Sequence, residues 1–528
     1  MTVVRQSPWG IRMKSCIFRL AGIGVAILLG GISTVCAQNQ TPDVSPILPE
    51  DSLPLRISIE QADFSLPSGV QSYVAGTFGG RWLILAGRIN GLHGFNNDNS
   101  NFPPNQQNST VFVVDPVQKT VATRSLTAPG SGLTQSQVDL LSVTSAQSYQ
   151  LGNTLYVTGG YGVDTATGNF STKDALSAID VPSLMQWVVN ASPGDTAAQH
   201  IRQIRDPIFQ VTGGEMKLGA GGVTMLMFGQ NFVGANVISA NGTYTEQVSR
   251  FRIVDDGVSL SVVPLGPLPA LPDPNYRRRD LNIVPLIRDG NDVGWVALSG
   301  VFTTANGIWT VPVDIATDGT PSMADPANPA TFKQGMNGYA SANFGAYSPS
   351  TRQMYTILLG GISFGYFANG AFVTDAELPF VNQITTIRHG SDGSVSQYLM
   401  SSEYPFIAST GSNPGNQLLF GARAHLFADG RLPAYGNGVL DLDQLGGSQP
   451  RVVGYIVGGI MSTLPNTNTQ SDTAASPYIF KVTLTSTLMP AVVQGPPIPT
   501  LSQWGLLVLA LFVGVLGLAL HRTSSMKI

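Results

Sequence analysis

The sequence predicts an all-β fold of small sheets stacked radially, and three observations carry that expectation. A short apolar strand ending in glycine recurs six times, and each copy is followed, after a polar loop, by a second strand. No helical 3.6-residue pattern of useful length lies between them, which argues against α/β folds. With 59 Gly and 35 Pro in 528 residues, the chain also has the punctuation that many short strands need.

The first strands of the units are Trp82–Gly87, Leu155–Gly160, Met225–Gly229, Trp295–Gly300, Tyr355–Gly361 and Gly454–Gly459. The second strands are Thr110–Asp115, Leu176–Asp180, Val248–Asp255, Ile308–Asp314, Gln383–Ile387 and Tyr478–Val482. A chain leaving a packed strand often needs φ > 0 or a close backbone approach, and only glycine does both cheaply. Strands as apolar as Trp82-Leu83-Ile84-Leu85 must be covered on both faces, as happens when small sheets stack around an axis. Ahead of the first unit, Leu55-Arg56-Ile57-Ser58-Ile59 alternates as an outer strand should. It is expected to pair with the last sheet, because an open array would leave edges unpaired.

The strand-Gly-Gly-loop-strand-Asp pattern resembles the kelch repeat, most clearly over Gly152–Trp187. There Leu155-Tyr156-Val157-Thr158-Gly159-Gly160-Tyr161-Gly162 leads to Ile179-Asp180 and then Trp187. Several other copies lack the second glycine and most lack the later tryptophan. Their period also exceeds the usual ~50 residues, so loops such as 91–108 are read as insertions. The resemblance implies an all-β β-propeller of kelch-like, four-stranded blades around a central channel. Six blades are expected, or seven if the stretch between Gly361 and Gly459 holds another.

The N-terminus carries Arg5, Arg12, Lys14 and Arg19, then an apolar run from Leu20 to Ile32 and a small-residue exit at Val35 and Ala37. That is the layout of a secretory signal peptide cut before Gln38. The core is short for an uncleaved anchor, and bulky Val35 argues against lipoprotein processing before Cys36. Cleavage would remove both cysteines, Cys16 and Cys36, and with them disulfides, thiolate metal sites and cysteine nucleophiles. It would also remove those four positive charges, taking the net charge from −4 to −8.

At the other end, a Pro-rich stretch precedes an uncharged apolar run from Leu506 to Leu520, then His521, Arg522 and Lys527. Eleven of those residues are Leu, Val or Phe, favouring membrane insertion by roughly 3 to 7 kcal/mol. Trp504 suits one interface, Arg522 can snorkel at the other, and the positive tail places the C-terminus in the cytoplasm. Ile498, Pro499, Thr500 and Leu501, followed by Trp504 and Gly505, resemble the IPTL-CTERM sorting domain of Gram-negative bacteria. The resemblance covers about 30 residues and speaks of address and processing, not of the exported domain. It implies an integral-membrane exosortase as partner, a transpeptidase that removes the tail and passes the protein to the cell surface.

The expected organisation is therefore a signal peptide at 1–37, a linker at 38–52 and a kelch-like propeller at 53–489. A Pro-rich linker with the sorting motif follows at 490–503, then a transmembrane helix at 504–521 and a basic cytoplasmic tail at 522–528.

Motifs that carry chemistry are sparse. Gly361-Ile362-Ser363-Phe364-Gly365 fits the G-x-S-x-G nucleophile pattern, but no helix pattern follows it, as that elbow requires. His93, His200, His389 and His425 show no metal-ligand spacing. The run 96–101, Asn-Asn-Asp-Asn-Ser-Asn, is rich in oxygen ligands yet lacks the closing glutamate of a calcium loop, and reads better as a solvated turn. Arg277-Arg278-Arg279-Asp280 is the densest basic run, suited either to ion pairs between blades or to an anionic ligand at a channel mouth. A sialidase-type Ser-x-Asp-x-Gly-x-x-Trp box is missing, and a Cys–Tyr radical site would lack its cysteine. No catalytic residue and no metal or cofactor site is assigned.

With 11% charged residues and an acidic balance, the chain lacks the basic face that nucleic-acid binding needs. The expected function is an exported, envelope-anchored or surface-sorted binding or structural module for glycan or protein. The alternative is an extracellular propeller enzyme acting on carbohydrate. Two carboxylates at glycosidase separation, or a buried carboxylate beside an arginine, would favour the enzyme, and a flat uncharged mouth the binder.

Overall fold

Both faces of Trp82-Leu83-Ile84-Leu85 are covered, by different neighbours. Leu83 and Leu85 pack with Leu155, Val157 and Ile179, whereas Trp82 and Ile84 pack with Phe427, Val457 and Ile479. This is visible in a computed structural model that describes residues 43–237, 242–288, 293–305, 307–488 and 503–524. The proposed signal peptide at 1–37, with both cysteines, lies outside them.

The described residues form many small, mainly antiparallel sheets. Six carry the body of the chain. The first consists of Val74–Phe78, Arg81–Leu85, Thr110–Asp115 and Thr120–Ser125. The second consists of Gln147–Leu151, Thr154–Thr158, Ala175–Asp180 and Ile201–Arg205. The third runs Glu215–Leu218, Thr224–Met227, Val248–Asp255 and Leu260–Pro264, and the fourth Asn282–Ile287, Val293–Leu298, Val313–Ile315 and Pro321–Met323. The fifth is built on Ala342–Ser348, Gln353–Ile362, Phe380–Gly390 and Val395–Glu403, and is widened by parallel pairing with Ile47–Pro49 and Leu440–Asp441. In the sixth, His425–Ala428, Arg451–Val457 and Tyr478–Ser486 are joined by Leu55–Ser65. Ile57 sits opposite Leu484 and Ile59 opposite Val482, so the strand before the first unit completes the last sheet, as its alternation predicts.

Separate apolar cores lie between the first and second sheets, the second and third, and so on to the fifth and sixth, and another joins the sixth back to the first. Each sheet is thus sandwiched, which is why its middle strands read as continuous apolar runs.

Each of the six repeated strands ends in two consecutive residues with positive φ: Ala86-Gly87, Gly159-Gly160, Phe228-Gly229, Ser299-Gly300, Gly360-Gly361 and Gly458-Gly459. The first position accepts other side chains at a conformational cost, which explains the copies with one glycine. The second is glycine in all six, and at several of them a Cβ would also collide: one on Gly87 would lie 2.3 Å from the Gln71 carbonyl oxygen, and one on Gly229 2.8 Å from the Gly214 nitrogen.

The structure corrects three expectations. A ten-residue helix, Val181–Asn190, follows the second sheet's third strand and carries buried Trp187, so a short helix does lie among the repeated strands. Its start was legible in Asp180, whose side chain accepts from the Ser183 amide, and in Pro182 within the first turn. In the fourth unit, strand structure begins at Val313 and not at Ile308. Between Gly361 and Gly459 the described chain completes the fifth sheet and starts the sixth, with no further four-stranded sheet.

The second unit of the chain, from residue 489, is described as the helix Gln503–Ser524. Side chains at 507–520 are exposed, Phe512 by 68%. Among the described residues, which in this helix include side chains for 507–520 only, no helix is long and apolar enough to cross a membrane.

Candidate functional site

Just before the first strand of each sheet stands one residue with positive φ: Ser72, Ser145, Gly213, Asp280, Ala340 and Arg423. Five of the six are not glycine, and each such residue costs about 1 kcal/mol or more, so the surroundings must enforce the conformation. What enforces it is a run of backbone hydrogen bonds from sheet to sheet. The Ser145 amide donates to the Ser72 carbonyl at 3.3 Å, Gly213 to Ser145 at 3.0 Å and Asp280 to Gly213 at 2.7 Å. Arg423 donates to Ala340 at 2.7 Å, and Ser72 to Arg423 at 3.3 Å. The six residues form a collar that borders two cavities.

On one side is a cavity of about 310 Å³ lined by the first strands of all six sheets, including Tyr149, Glu215, Lys217, Asn343 and His425. On the other is a cavity of about 100 Å³. Its walls come largely from equivalent positions: the residue before the collar in each sheet and, in all but the fourth, the residue after the paired positive-φ turn, which face each other as β-bridges such as Gln71 with Arg88 and Tyr339 with Ile362. The positions after the turn are occupied by Arg88, Tyr161, Gln230, Val301, Ile362 and Ile460. The first three sheets therefore contribute polar groups and the last two mostly apolar ones.

Charge is concentrated here. Asp280 is buried and bridges two cations, with Arg423 at 2.5 Å from Oδ1 and Arg279 on Oδ2. Burial alone would raise its carboxyl, but Arg423 and Arg279 outweigh that and hold it below the usual carboxylate range. Arg279 also donates from Nε to the Tyr244 hydroxyl at 3.1 Å. Arg88, 2% exposed, donates from Nε to Asn90 at 2.9 Å and lies over the Phe102 ring, while its Nη2 makes no hydrogen bond within the described residues. Burial pulls its pKa down to about 10. The Tyr339 hydroxyl, 4% exposed as a residue, is likewise unpartnered within the described residues. His93 stacks on Phe102 5.0 Å away, and desolvation pushes its pKa down to about 4, so it is neutral at pH 7.

Of the sequence candidates, the basic run is split. Arg279 and Asp280 reach the cavity; Arg278 is fully buried over Trp309 at 4.4 Å, and Arg277 lies 3.7 Å from the centre of the Tyr244 ring. The ion pair between Asp280, ahead of the fourth sheet, and Arg423, ahead of the sixth, is the contact between units that the run suggested. Ser363 is 1% exposed, accepts from the Asn337 amide at 2.8 Å and donates to the Gly365 carbonyl at 2.6 Å, and a strand follows it, so it is no nucleophile elbow. The Asn-rich run folds on itself: Asp98 caps the Ser100 amide, and Asn101 donates to the Asn96 and Asn236 carbonyls. His200 pairs with Asp195 at 2.7 Å, and His425 faces the Tyr73 carbonyl at 3.0 Å in the larger cavity. No group of three His, Cys, Asp or Glu is placed to hold a metal among the described residues.

Arg88, Tyr339 and Arg423 were missed. The signal was available: aligning the units on their terminal glycines puts Arg88 and Tyr161 at one register position, next to the turn. Of the sorting motif, Ile498, Pro499, Thr500 and Leu501 lie outside the described residues, and Trp504 and Gly505 open the helix Gln503–Ser524.

Residues 496–523 match the model of the IPTL-CTERM motif, so the chain carries that sorting signal, which indicates an exported, surface-sorted protein handled by an exosortase-type enzyme. No curated protein matches the chain. Among solved structures, one titled "Structure of YjhT" aligns with a TM-score of 0.41 at 11% identity, covering 80% of this chain and 99% of that one.

Proposed function

We propose that a chain bearing this IPTL-CTERM tail is a six-bladed, kelch-like β-propeller displayed at the cell surface, where it binds glycan or protein through the loops and cavity around its axis. The collar supports the propeller reading: one strained residue per sheet, linked by hydrogen bonds, with an apolar core between each sheet and the next and between the sixth and the first. On this reading residues 1–37 are removed on export, 38–52 and 490–503 are linkers, and 504–521 spans the membrane ahead of a cytoplasmic 522–528. Exosortase-type processing at Ile498, Pro499, Thr500, Leu501, Trp504 and Gly505 would then pass the body to the surface.

The observation that carries the binding role is the smaller cavity, where polar groups and the aliphatic side chains of Ile362 and Ile460 surround two unpartnered donors. The enzyme alternative has Asp280 in its favour, since a buried carboxylate beside arginine is a mark of tuned sites. Here, however, the two arginines depress its basicity, and it is the lone carboxylate lining the smaller cavity. A glycan array probed with the purified protein tests the role. Binding to a defined set of glycans without turnover is expected, and release of sugar products would establish the enzyme instead.

A further inference from the structure

We propose that the smaller axial cavity binds the carboxylate group of an acidic ligand, with Arg88 and Tyr339 supplying donors to it. The inference deepens the ligand-binding reading above and rests on it.

The cavity is lined by three guanidiniums, Arg88, Arg279 and Arg423, against one carboxylate, Asp280. Asp280 is shared between Arg279 and Arg423. Arg88 has no carboxylate in ion-pair range among the described residues, and its side chain meets a neutral amide, Asn90, and an aromatic face, Phe102. With His93 neutral, two positive charges stand uncompensated in a cavity of about 100 Å³, within a protein whose net charge is negative. A buried cation without a counter-ion is costly to maintain, and an anion entering the cavity relieves that cost.

The unsatisfied atoms point the same way. Arg88 Nη2 and the Tyr339 hydroxyl both line this cavity, both are buried, and neither has a partner within the described residues. Buried donors are satisfied in most native structures, so two orphans on one cavity mark a place for an acceptor. A guanidinium fork and a phenol hydroxyl suit a planar carboxylate, and Ile362 and Ile460 offer an apolar wall to the carbon skeleton that carries it. The volume admits a carboxylate and the atoms next to it, so the acidic group is at an end of the ligand.

The test is isothermal titration of the detergent-purified full chain with glucuronate, glucose, acetate and inorganic phosphate. Glucuronate and acetate are expected to bind and glucose is not. Arg88→Gln should weaken glucuronate at least tenfold, and Tyr339→Phe about three- to tenfold. The second variant removes only an oxygen that bonds to nothing else in the described residues, so its melting temperature should equal that of wild type. It keeps the test alive if Arg88→Gln does not fold. Glucuronate binding no tighter than glucose, phosphate binding without glucuronate, or wild-type affinity in both variants would each overturn the inference. If neutral glycans bind while acetate and glucuronate do not, the carboxylate site fails and the glycan reading survives. If acetate and glucuronate bind but a glycan array stays blank, the reverse holds.

Discussion

Asp280→Asn isolates the electrostatic part of the collar. Asparagine keeps the side-chain volume and tolerates the φ of 54° at this position nearly as well as aspartate, so the backbone is not the variable. What disappears is the negative charge between Arg279 and Arg423. Removing one partner of a buried ion pair costs about 3 to 5 kcal/mol, and because both arginines are partly exposed (23% of each side chain) about 2 to 4 kcal/mol is the appropriate range. At about 2.1 cal/mol/K for each of about 430 ordered residues, that corresponds to a melting temperature lower by roughly 2 to 5 °C. The pH dependence supplies the stronger check. The folded pKa of Asp280 is depressed, so its contribution is fully present above the unfolded value of about 3.9 and is lost as pH falls through the folded value. Differential scanning calorimetry of wild type and variant should therefore show a constant gap from neutral pH to about 4, closing below that. Equal melting temperatures at pH 7, or a gap that persists undiminished in strong acid, would refute the argument.

Gly87→Ala should destabilise by about 2 to 4 kcal/mol, since its Cβ would meet the Gln71 carbonyl oxygen at 2.3 Å, whereas Gly79→Ala, with a similar sign of φ and nothing within 4 Å, should cost about 1 kcal/mol. Chemical denaturation of the pair separates crowding from conformation. For the tail, changing both Leu509 and Val513 to Arg should cost about 5 to 7 kcal/mol of insertion and move the protein to the soluble fraction, and unchanged membrane retention argues against an anchor. Intact-mass measurement of protein released from the cell surface should show loss of the tail near Thr500, and a full-length C-terminus would leave a plain anchor.

The strands and their order were legible because burial on both faces leaves a run such as Met225-Leu226-Met227 no other explanation, and the glycine turns marked where each run stops. The strand over Leu55–Ile59 was placed on the last sheet by its alternation and by the need to pair open edges, and in the structure it runs on to Ser65. The helix Val181–Asn190 was not legible, because ten residues hold too few turns for its buried apolar face to stand out as a helical period. The cavity was legible only in part. Arg279 and Asp280 stand out because they sit in a charge run, but Arg88 and Arg423 are isolated in sequence and meet only when six separate segments converge. Pairing over hundreds of residues, as between Asp280 and Arg423, leaves no local trace.

That convergence also explains how one backbone plan can host a specific site. The residue after the positive-φ turn has the same backbone surroundings in every sheet: a glycine before it and a cross-strand partner next to the collar. Its backbone is therefore placed alike in every sheet, and in five of the six its side chain lines the smaller cavity. Arg88, Tyr161 and Gln230 occupy that position in the first three sheets, and Ile362 and Ile460 in the last two. A ring of identical residues there would make a symmetric pore. Five residue types over the six positions instead put polar side chains there in the first three sheets and aliphatic ones in the last three, and a site that mixes polar groups with an apolar wall discriminates between the two ends of a small ligand. Strain at the collar and choice at the next position are thus separate layers, the first holding the axis together and the second deciding what enters it.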